Sequence, residues 1–423
     1  MTFAGAPDPI RSERNSQDRK QALRSEHVLL GAICAFGFLI DIGEISIASA
    51  LAAIFTVGAG GHTSTTAVSI LLSSTYVGGA AGAIGFGMLA RRRSTRLAIT
   101  LSMALLGMAS LVAAFAPNIE VLIAARAIGG LGIGAYPPLA IALLTTHLPA
   151  RSRGRVILTA SAIGSLGAPL MVFATRHLSL YPVGGLAGWQ SALIAGAIGA
   201  FAVSIGFALL RDFEGDDRRP DGLAGVAAET LRHSLDGFTA RIVLPALYIL
   251  AYWAGVGFPL LSGVIMLGKG FNLNDALLFV AATMLGPTIG TLASGLVIDR
   301  FPRRDAVFAT LVLGALALLV FGFSDSAWLL GLAAVLFGFA LGLYTPVMSL
   351  YAAELYPREQ RSSATSRLWA MNRISVAIAP LCLLPLLHRA RPLALMLVLA
   401  ALLITCAVLI RLAPAGHANE ELA

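Results

Sequence analysis

The chain has 423 residues, of which 57% are hydrophobic and 12% are charged. Soluble domains average about 25% charged residues, and a mean hydropathy of +0.82 reflects more apolar surface than a soluble core can hide, so the composition excludes a soluble protein and indicates a polytopic membrane protein. The formal charge of +8 does not indicate a nucleic-acid partner, because the arginines are concentrated in the first tail and in alternate loops between apolar runs.

Apolar stretches of roughly 20 residues, the length that a membrane-spanning helix needs, follow one another along the chain. Twelve are predicted, at residues 27–55, 67–90, 97–115, 119–145, 156–177, 189–210, 242–266, 277–298, 305–323, 328–352, 363–387 and 392–411. A polar tail (1–26), a polar linker (211–241) and a last tail (412–423) divide them into two six-helix bundles, 27–210 and 242–411. We therefore expect an all-α membrane protein.

Positive charge marks one side of this predicted arrangement. Loops 91–96 and 151–155 are rich in arginine, whereas loops 56–66 and 116–119 on the other side contain neither lysine nor arginine. Because cytoplasmic loops carry the excess of lysine and arginine, we expect a multi-pass protein of the cytoplasmic (inner) membrane with both termini in the cytoplasm. The three cysteines all lie inside apolar stretches, so we expect no metal and no cofactor.

The two bundles are related by an internal repeat with an offset of 208 residues. Gly87-Met-Leu-Ala-Arg-Arg92 recurs as Gly295-Leu-Val-Ile-Asp-Arg300. Other repeated positions are Gly130, Gly134, Tyr136 and Pro138, which recur as Gly338, Gly342, Tyr344 and Pro346. Two related helical bundles in one membrane chain are the architecture of many secondary transporters. At this offset Asp41 corresponds to Ile249.

The repeated loops resemble signatures of the major facilitator superfamily. Segment 295–304 is similar to the family's loop pattern Gly-x-Leu-Ala-Asp-Arg-x-Gly-Arg-Arg, and segment 354–361 is similar to the Glu-x-x-Pro-x-x-x-Arg pattern of its sugar-porter-like and metabolite:proton symporter branches. The first-half copies depart from these patterns, with Arg91 in place of the aspartate and Thr146 in place of the glutamate. The resemblance implies twelve transmembrane helices in two pseudo-symmetric six-helix bundles.

The resemblance further implies that the loop signatures form a gating latch at the cytoplasmic helix ends. The residues expected in this gating motif are Gly87, Arg92, Gly295, Asp299, Arg300, Arg304, Glu354 and Arg361. The alternative is that these arginines act mainly as orientation signals.

Ionisable side chains inside the hydrocarbon region are costly, at least about 2.5–3.5 kcal/mol on insertion scales, and are therefore functional candidates. Asp41 and Glu44 are one helical turn apart in the first stretch, and two carboxylates so close in a low dielectric do not readily both ionise. We expect at least one of them to carry the coupling proton, with Arg126 of the fourth stretch as partner. The alternative is a permanent ion pair.

Arg373 lies deep in the eleventh stretch, in a run that resembles the Arg-x6-Pro pattern of organic-ion transporter relatives. That resemblance implies a cavity-facing guanidinium, which would favour a carboxylate substrate. Other residues expected to line the same cavity are Tyr136, Tyr252, Trp253, Tyr344, Trp369 and Asn372. For Arg373, as for these residues, the alternative is a packing role.

Together these features predict a secondary active transporter, not an enzyme, that couples protons to symport of a small organic metabolite, with an organic acid favoured. Its expected partners are a small-molecule substrate, protons and the lipid bilayer, with function as a monomer. Proton-coupled efflux of drugs or metabolites is the alternative, although segment 164–169 only approximates the fifth-helix motif of efflux branches. A transport-dead sensor is disfavoured, because the linker and final tail leave no room for a signalling domain.

Overall fold

A computed structural model describes residues 25–56, 63–210, 238–297, 300–356, 358–389 and 392–414. Twelve helices in these ranges are long and apolar enough to cross a membrane, as predicted, and the described residues contain no strand. Most of the predicted linker, 211–237, lies outside the described residues, as do residues 1–24 and 415–423 of the two tails.

The first bundle contains helices α1 to α6. Their bounds are α1 Ser25–Thr56, α2 Thr65–Arg92, α3 Thr95–Ala114, α4 Ile119–His147, α5 in two pieces, Ala150–Ser165 and Gly167–Leu180, and α6 Gly188–Leu209.

The second bundle contains helices α7 to α12. α7 starts with the turns Thr239–Val243, Leu244–Ala246 and Leu247–Ala251 and continues as Tyr252–Gly268. The remaining bounds are α8 Leu273–Val297, α9 Arg303–Phe323, α10 Ala327–Leu355, α11 Arg358–Arg389 and α12 Pro392–Arg411.

The two bundles repeat one packing scheme, which confirms the predicted pseudo-symmetry. In the first, α4 packs against α2 and α3, and α3 packs against α6; in the second, α10 packs against α8 and α9, and α9 packs against α12. Glycines allow the closest of these contacts. A Cβ atom on Gly78 of α2 would overlap the Ala127 carbonyl of α4, and one on Gly286 of α8 would overlap the Val335 carbonyl of α10. These two glycines are 208 residues apart.

Two tyrosines reveal where the repeat changes register. The Tyr136 hydroxyl donates to the Cys34 carbonyl at 2.9 Å, and the Tyr344 hydroxyl donates to the Leu247 carbonyl at 3.0 Å. The tyrosines are 208 residues apart but their acceptors are 213 apart. The start of α7 is π-helical, with more residues in each turn. By this contact Asp41 corresponds to Ala254 rather than to Ile249, and it has no acidic counterpart in either register.

The two bundles meet through α1 with α7, α2 with α11, and α5 with α8. Two of their close contacts lie toward the end of the molecule away from Ser25 and Pro414, which we call the far end. There Arg176 Nε of α5 donates to the Asn274 carbonyl of α8 at 3.0 Å, and a Cβ atom on Gly263 of α7 would lie 2.9 Å from Ala53 Cβ of α1. The seam between the bundles is therefore closed at the far end.

Candidate functional site

The candidate site is built around two acidic residues in the middle of α1. Asp41 is 1% exposed and Glu44 is 0% exposed, although α1 otherwise consists largely of apolar residues and glycine. A side-chain spacing of three residues puts both on one side of the helix, but they meet different partners. Glu44 contacts the rest of the first bundle, whereas Asp41 interacts with a charge of the second.

Glu44 is held by Arg126 of α4, which is 2% exposed. Arg126 Nη1 lies 2.9 Å from Glu44 Oε2, and Nη2 donates to the backbone carbonyl of the same residue at 2.6 Å. Gly196 of α6 makes room for this carboxylate, because a Cβ atom there would overlap Glu44 Oε1. Three helices thus fix one buried ion pair, and Gly196 is a contributor that the sequence analysis missed.

Asp41 lacks such a partner. Neither of its carboxylate oxygens has a hydrogen-bond partner among the described residues. Within electrostatic range of Asp41 is the Arg373 guanidinium of α11, in the other bundle. Arg373 reaches across the seam, since its Nη1 lies 3.7 Å from the position that a Cβ atom on Gly79 of α2 would occupy. Of the two acids, Glu44 is therefore the one that Arg126 contacts, and Asp41 lies within electrostatic range of Arg373.

Aromatic side chains of α7, α10 and α11 form a cluster in the second bundle. Tyr252 packs edge-to-face against Tyr344 and Trp369, with ring centroids 5.6 and 5.8 Å apart. Tyr248, which the sequence analysis missed, packs against Trp369 at 5.6 Å. The four-residue spacing of Tyr248 and Tyr252 on one helix was the available signal.

Two further predicted residues join α7 to α11. The Asn372 amide donates to the Tyr248 carbonyl at 3.0 Å, and the Trp253 indole donates to the Ser375 hydroxyl. Asn372 is buried and Trp253 half-buried. Both lie within one turn of Arg373 or of the aromatic cluster, so the structure brings these predicted residues together.

Tyr136 and Tyr344 were expected to line a cavity, and their contacts favour a packing role instead. Tyr136 is 0% exposed and Tyr344 is 3% exposed, and the hydroxyl of each is bonded to a backbone carbonyl of a neighbouring helix. A Cβ atom on Gly37 would overlap the Tyr136 hydroxyl. Each hydroxyl thus joins two helices of one bundle, which is the contact expected of a packing residue.

The gating residues described by the structure make contacts inside one bundle. Glu354 Oε1 of α10 pairs with Arg303 Nε of α9 at 3.2 Å, a partner that the expected set did not include. Arg304 Nη1 donates to the Ala413 carbonyl just beyond α12 at 3.3 Å, a contact within the second bundle. Arg92 and Arg300 are exposed.

The remaining gating positions are only partly described by the structure. A Cβ atom on Gly87 would have no neighbour within 4 Å among the residues that the structure describes. Asp299 lies outside the described residues, and so do the side-chain surroundings of Gly295 and Arg361.

Comparison with known proteins matches this chain to the family model described as Major Facilitator Superfamily, over residues 32–286 and 247–421. It is 26% identical to a putative niacin/nicotinamide transporter, NiaP, of Bacillus subtilis, covering 86% of this chain and 89% of that protein. It is 26% identical to the 4-hydroxybenzoate transporter PcaK of Pseudomonas aeruginosa, covering 73% and 75%.

The fold is similar to the inward-open conformation of the xylose transporter XylE from E. coli. The two structures align with a TM-score of 0.77 and 14% sequence identity, over 94% of this chain and 98% of that one.

Proposed function

The chain belongs to the Major Facilitator Superfamily and is a membrane transporter, and we propose that it carries out proton-coupled symport of a small organic acid by alternating access. The observation that carries this proposal is the relationship between Asp41 and Arg373. Asp41 is a buried carboxylate with no hydrogen-bond partner among the described residues, and the guanidinium within electrostatic range of it belongs to the other bundle. Rearrangement of the two bundles would change this pair directly.

In the proposed cycle, Asp41 and the substrate carboxylate compete for Arg373. When Asp41 holds a proton it is neutral, and the Arg373 guanidinium is available to bind a carboxylate through two parallel hydrogen bonds. When Asp41 loses its proton, its negative charge attracts Arg373 and weakens the hold on the substrate. Arg373 is thus paired with the substrate carboxylate when Asp41 is protonated and with Asp41 when it is not, so the seam does not bury an unpaired charge. Proton and substrate are therefore transported together.

Glu44 and Arg126 have a different role in this proposal. Their ion pair is fully buried and doubly bonded within one bundle, so bundle movement would leave it intact. We assign it as the anchor that fixes the position of α1 in the first bundle. The proton-coupling role expected for Glu44 from the sequence therefore passes to Asp41.

The aromatic cluster supports a substrate with a ring. Tyr248, Tyr252 and Trp369 pack against one another, Trp369 lies one turn before Arg373 on α11, and aromatic groups pair favourably in such arrangements. Relatives at 26% identity are named for niacin and 4-hydroxybenzoate. We propose an aromatic carboxylate as the substrate class.

The test uses purified protein in liposomes with an imposed proton gradient and radiolabelled benzoate-type acids. Gradient-driven accumulation is expected for the unaltered protein. Asp41→Asn should abolish accumulation while leaving counterflow of substrate, and Glu120→Gln, which changes an exposed acid at the far end, should leave both unchanged. Accumulation that persists in Asp41→Asn would refute the assignment of Asp41, and gradient-driven exit of substrate would favour the efflux alternative.

A further inference from the structure

An apolar groove lies in the seam between α5 and α8, so that each bundle supplies one of its walls. Leu170 and Phe173 line it from α5, and Leu278, Ala282 and Leu285 line it from α8. Its volume is about 320 Å³, and every lining residue is apolar. The groove is at membrane depth, because both helices cross the membrane along their whole length here.

The dimensions of the groove suit an alkyl chain. From Leu166 to Phe173 the wall of α5 rises seven residues, which is roughly 10 Å at 1.5 Å per residue. That is about a third of a hydrocarbon core of about 30 Å. A narrow site without polar groups offers nothing to orient a polar metabolite, whereas it offers contact along the length of an acyl chain.

A positive charge stands at the far end of the groove. Arg176 is one turn beyond Phe173 on α5, close to the end of this span at Leu180. The Arg176 guanidinium has five N–H groups. Its Nε–H donates to the Asn274 carbonyl, and this hydrogen bond holds the guanidinium near the start of α8. The neighbouring acid, Asp275, accepts from the Asn272 amide at 2.7 Å instead.

Aromatic side chains lie close to Arg176 in the sequence, near the far end of α5. Phe173 and His177 of α5 and Tyr181, directly after it, follow one another at four-residue intervals, with ring centroids 6.4 and 5.0 Å apart. All three are exposed. Such rings are typical of the membrane interface, where phospholipid headgroups lie.

We propose that this groove and Arg176 form a binding site for one phospholipid of the leaflet at the far end. The acyl chain occupies the groove, and the phosphodiester accepts hydrogen bonds from the Arg176 guanidinium. Because the two walls belong to different bundles, a bound lipid joins them and favours the state in which the far end is closed. The lipid is thus a conformational ligand at a site separate from Asp41 and Arg373.

The test is native mass spectrometry of the purified protein in micelles, titrated with phosphatidylglycerol. One lipid should remain bound at activation energies that strip the others. Arg176→Gln, which removes the charge-assisted contacts, and Ala282→Trp, which fills the groove, should each lower that retained fraction roughly tenfold. Leu332→Trp, at an exposed apolar position of α10, is the matched control and should retain the lipid.

Equal retention by the unaltered protein, Arg176→Gln and Ala282→Trp would overturn the proposal, as would equal loss in Leu332→Trp. Thermal unfolding of each variant in lipid-free detergent checks that the folds are comparable, and Leu170→Trp provides a second way to fill the groove should Ala282→Trp fail to fold. The measurement involves no transport, so its outcome is independent of the proposed proton coupling.

Discussion

Arg126 grips Glu44 at two points, the carboxylate at 2.9 Å and the backbone carbonyl at 2.6 Å. One turn earlier on the same helix, Asp41 has no hydrogen bond to either oxygen among the described residues. Two acids that look equivalent in the sequence thereby differ in the structure: one has a hydrogen-bonded cation and the other does not. This difference gives the first three predictions.

Removing one partner of the Glu44–Arg126 pair should destabilise the protein strongly. Arg126→Leu leaves a buried carboxylate uncompensated, and the loss of such a partner costs about 3–5 kcal/mol. The double variant Arg126→Leu/Glu44→Leu should recover a large part of that loss, because no charge remains buried. Thermal unfolding in detergent measures both, and a double variant no more stable than Arg126→Leu would contradict the pairing.

Gly196 should not accept even one methyl group. A Cβ atom there would overlap Glu44 Oε1, and forcing a buried group aside costs about 1–3 kcal/mol. Gly206→Ala is the matched control on the same helix, since its Cβ would lie 3.5 Å from the Ile33 side chain, an ordinary contact. A midpoint of thermal unfolding that is equally lowered by the two substitutions would show that Glu44 is not held where we describe it.

Lysine should not substitute for Arg373 if the planar guanidinium binds a carboxylate through two parallel hydrogen bonds. Arg373→Lys keeps the charge but loses the two parallel hydrogen bonds, and we expect KM for an aromatic acid to rise roughly tenfold, which corresponds to about 1.4 kcal/mol. Uptake of an uncharged ring analogue, where detectable, should change little. An unaltered KM for the acid in Arg373→Lys would argue for a packing role.

Arg96 and Arg304 should behave as matched helix caps. Arg96 Nε donates to the Phe207 carbonyl at 2.7 Å at the end of α6, and Arg304 donates to Ala413 beyond α12. A cation at a helix C-terminus contributes about 0.3–1 kcal/mol, so Arg304→Gln and Arg96→Gln should each lower thermal stability modestly. Neither should change the balance of open and closed states, which spin-label distances across the seam would measure.

A shift of the spin-label distances in Arg304→Gln but not in Arg96→Gln would instead support the gating latch that the loop signature implies. The contrast is informative because the two arginines are 208 residues apart and differ mainly in which bundle they serve.

Much of the architecture could be predicted from the sequence. The twelve apolar stretches matched the described spans, because a helix in lipid must satisfy its backbone internally and must be long enough to cross. The repeat offset of 208 residues predicted two related bundles, and repeated glycines such as Gly130 and Gly338 lie where α4 packs on α2 and α10 packs on α8. The unusual acids Asp41 and Glu44 stood out for the same reason that charge is rare in a membrane.

What the sequence alone determined is which residues are exceptional: the buried charges, the repeated glycines and the arginine-rich ends. What only the tertiary structure decided is which residue each of them meets. Glu44 has Arg126 within its own bundle while Asp41 has Arg373 across the seam, and Glu354 takes Arg303 rather than a residue of the predicted latch. The physical reason is that hydropathy and spacing fix the depth and the face of a side chain, whereas partner choice depends on how helices distant in sequence rotate and approach one another in the folded bundle.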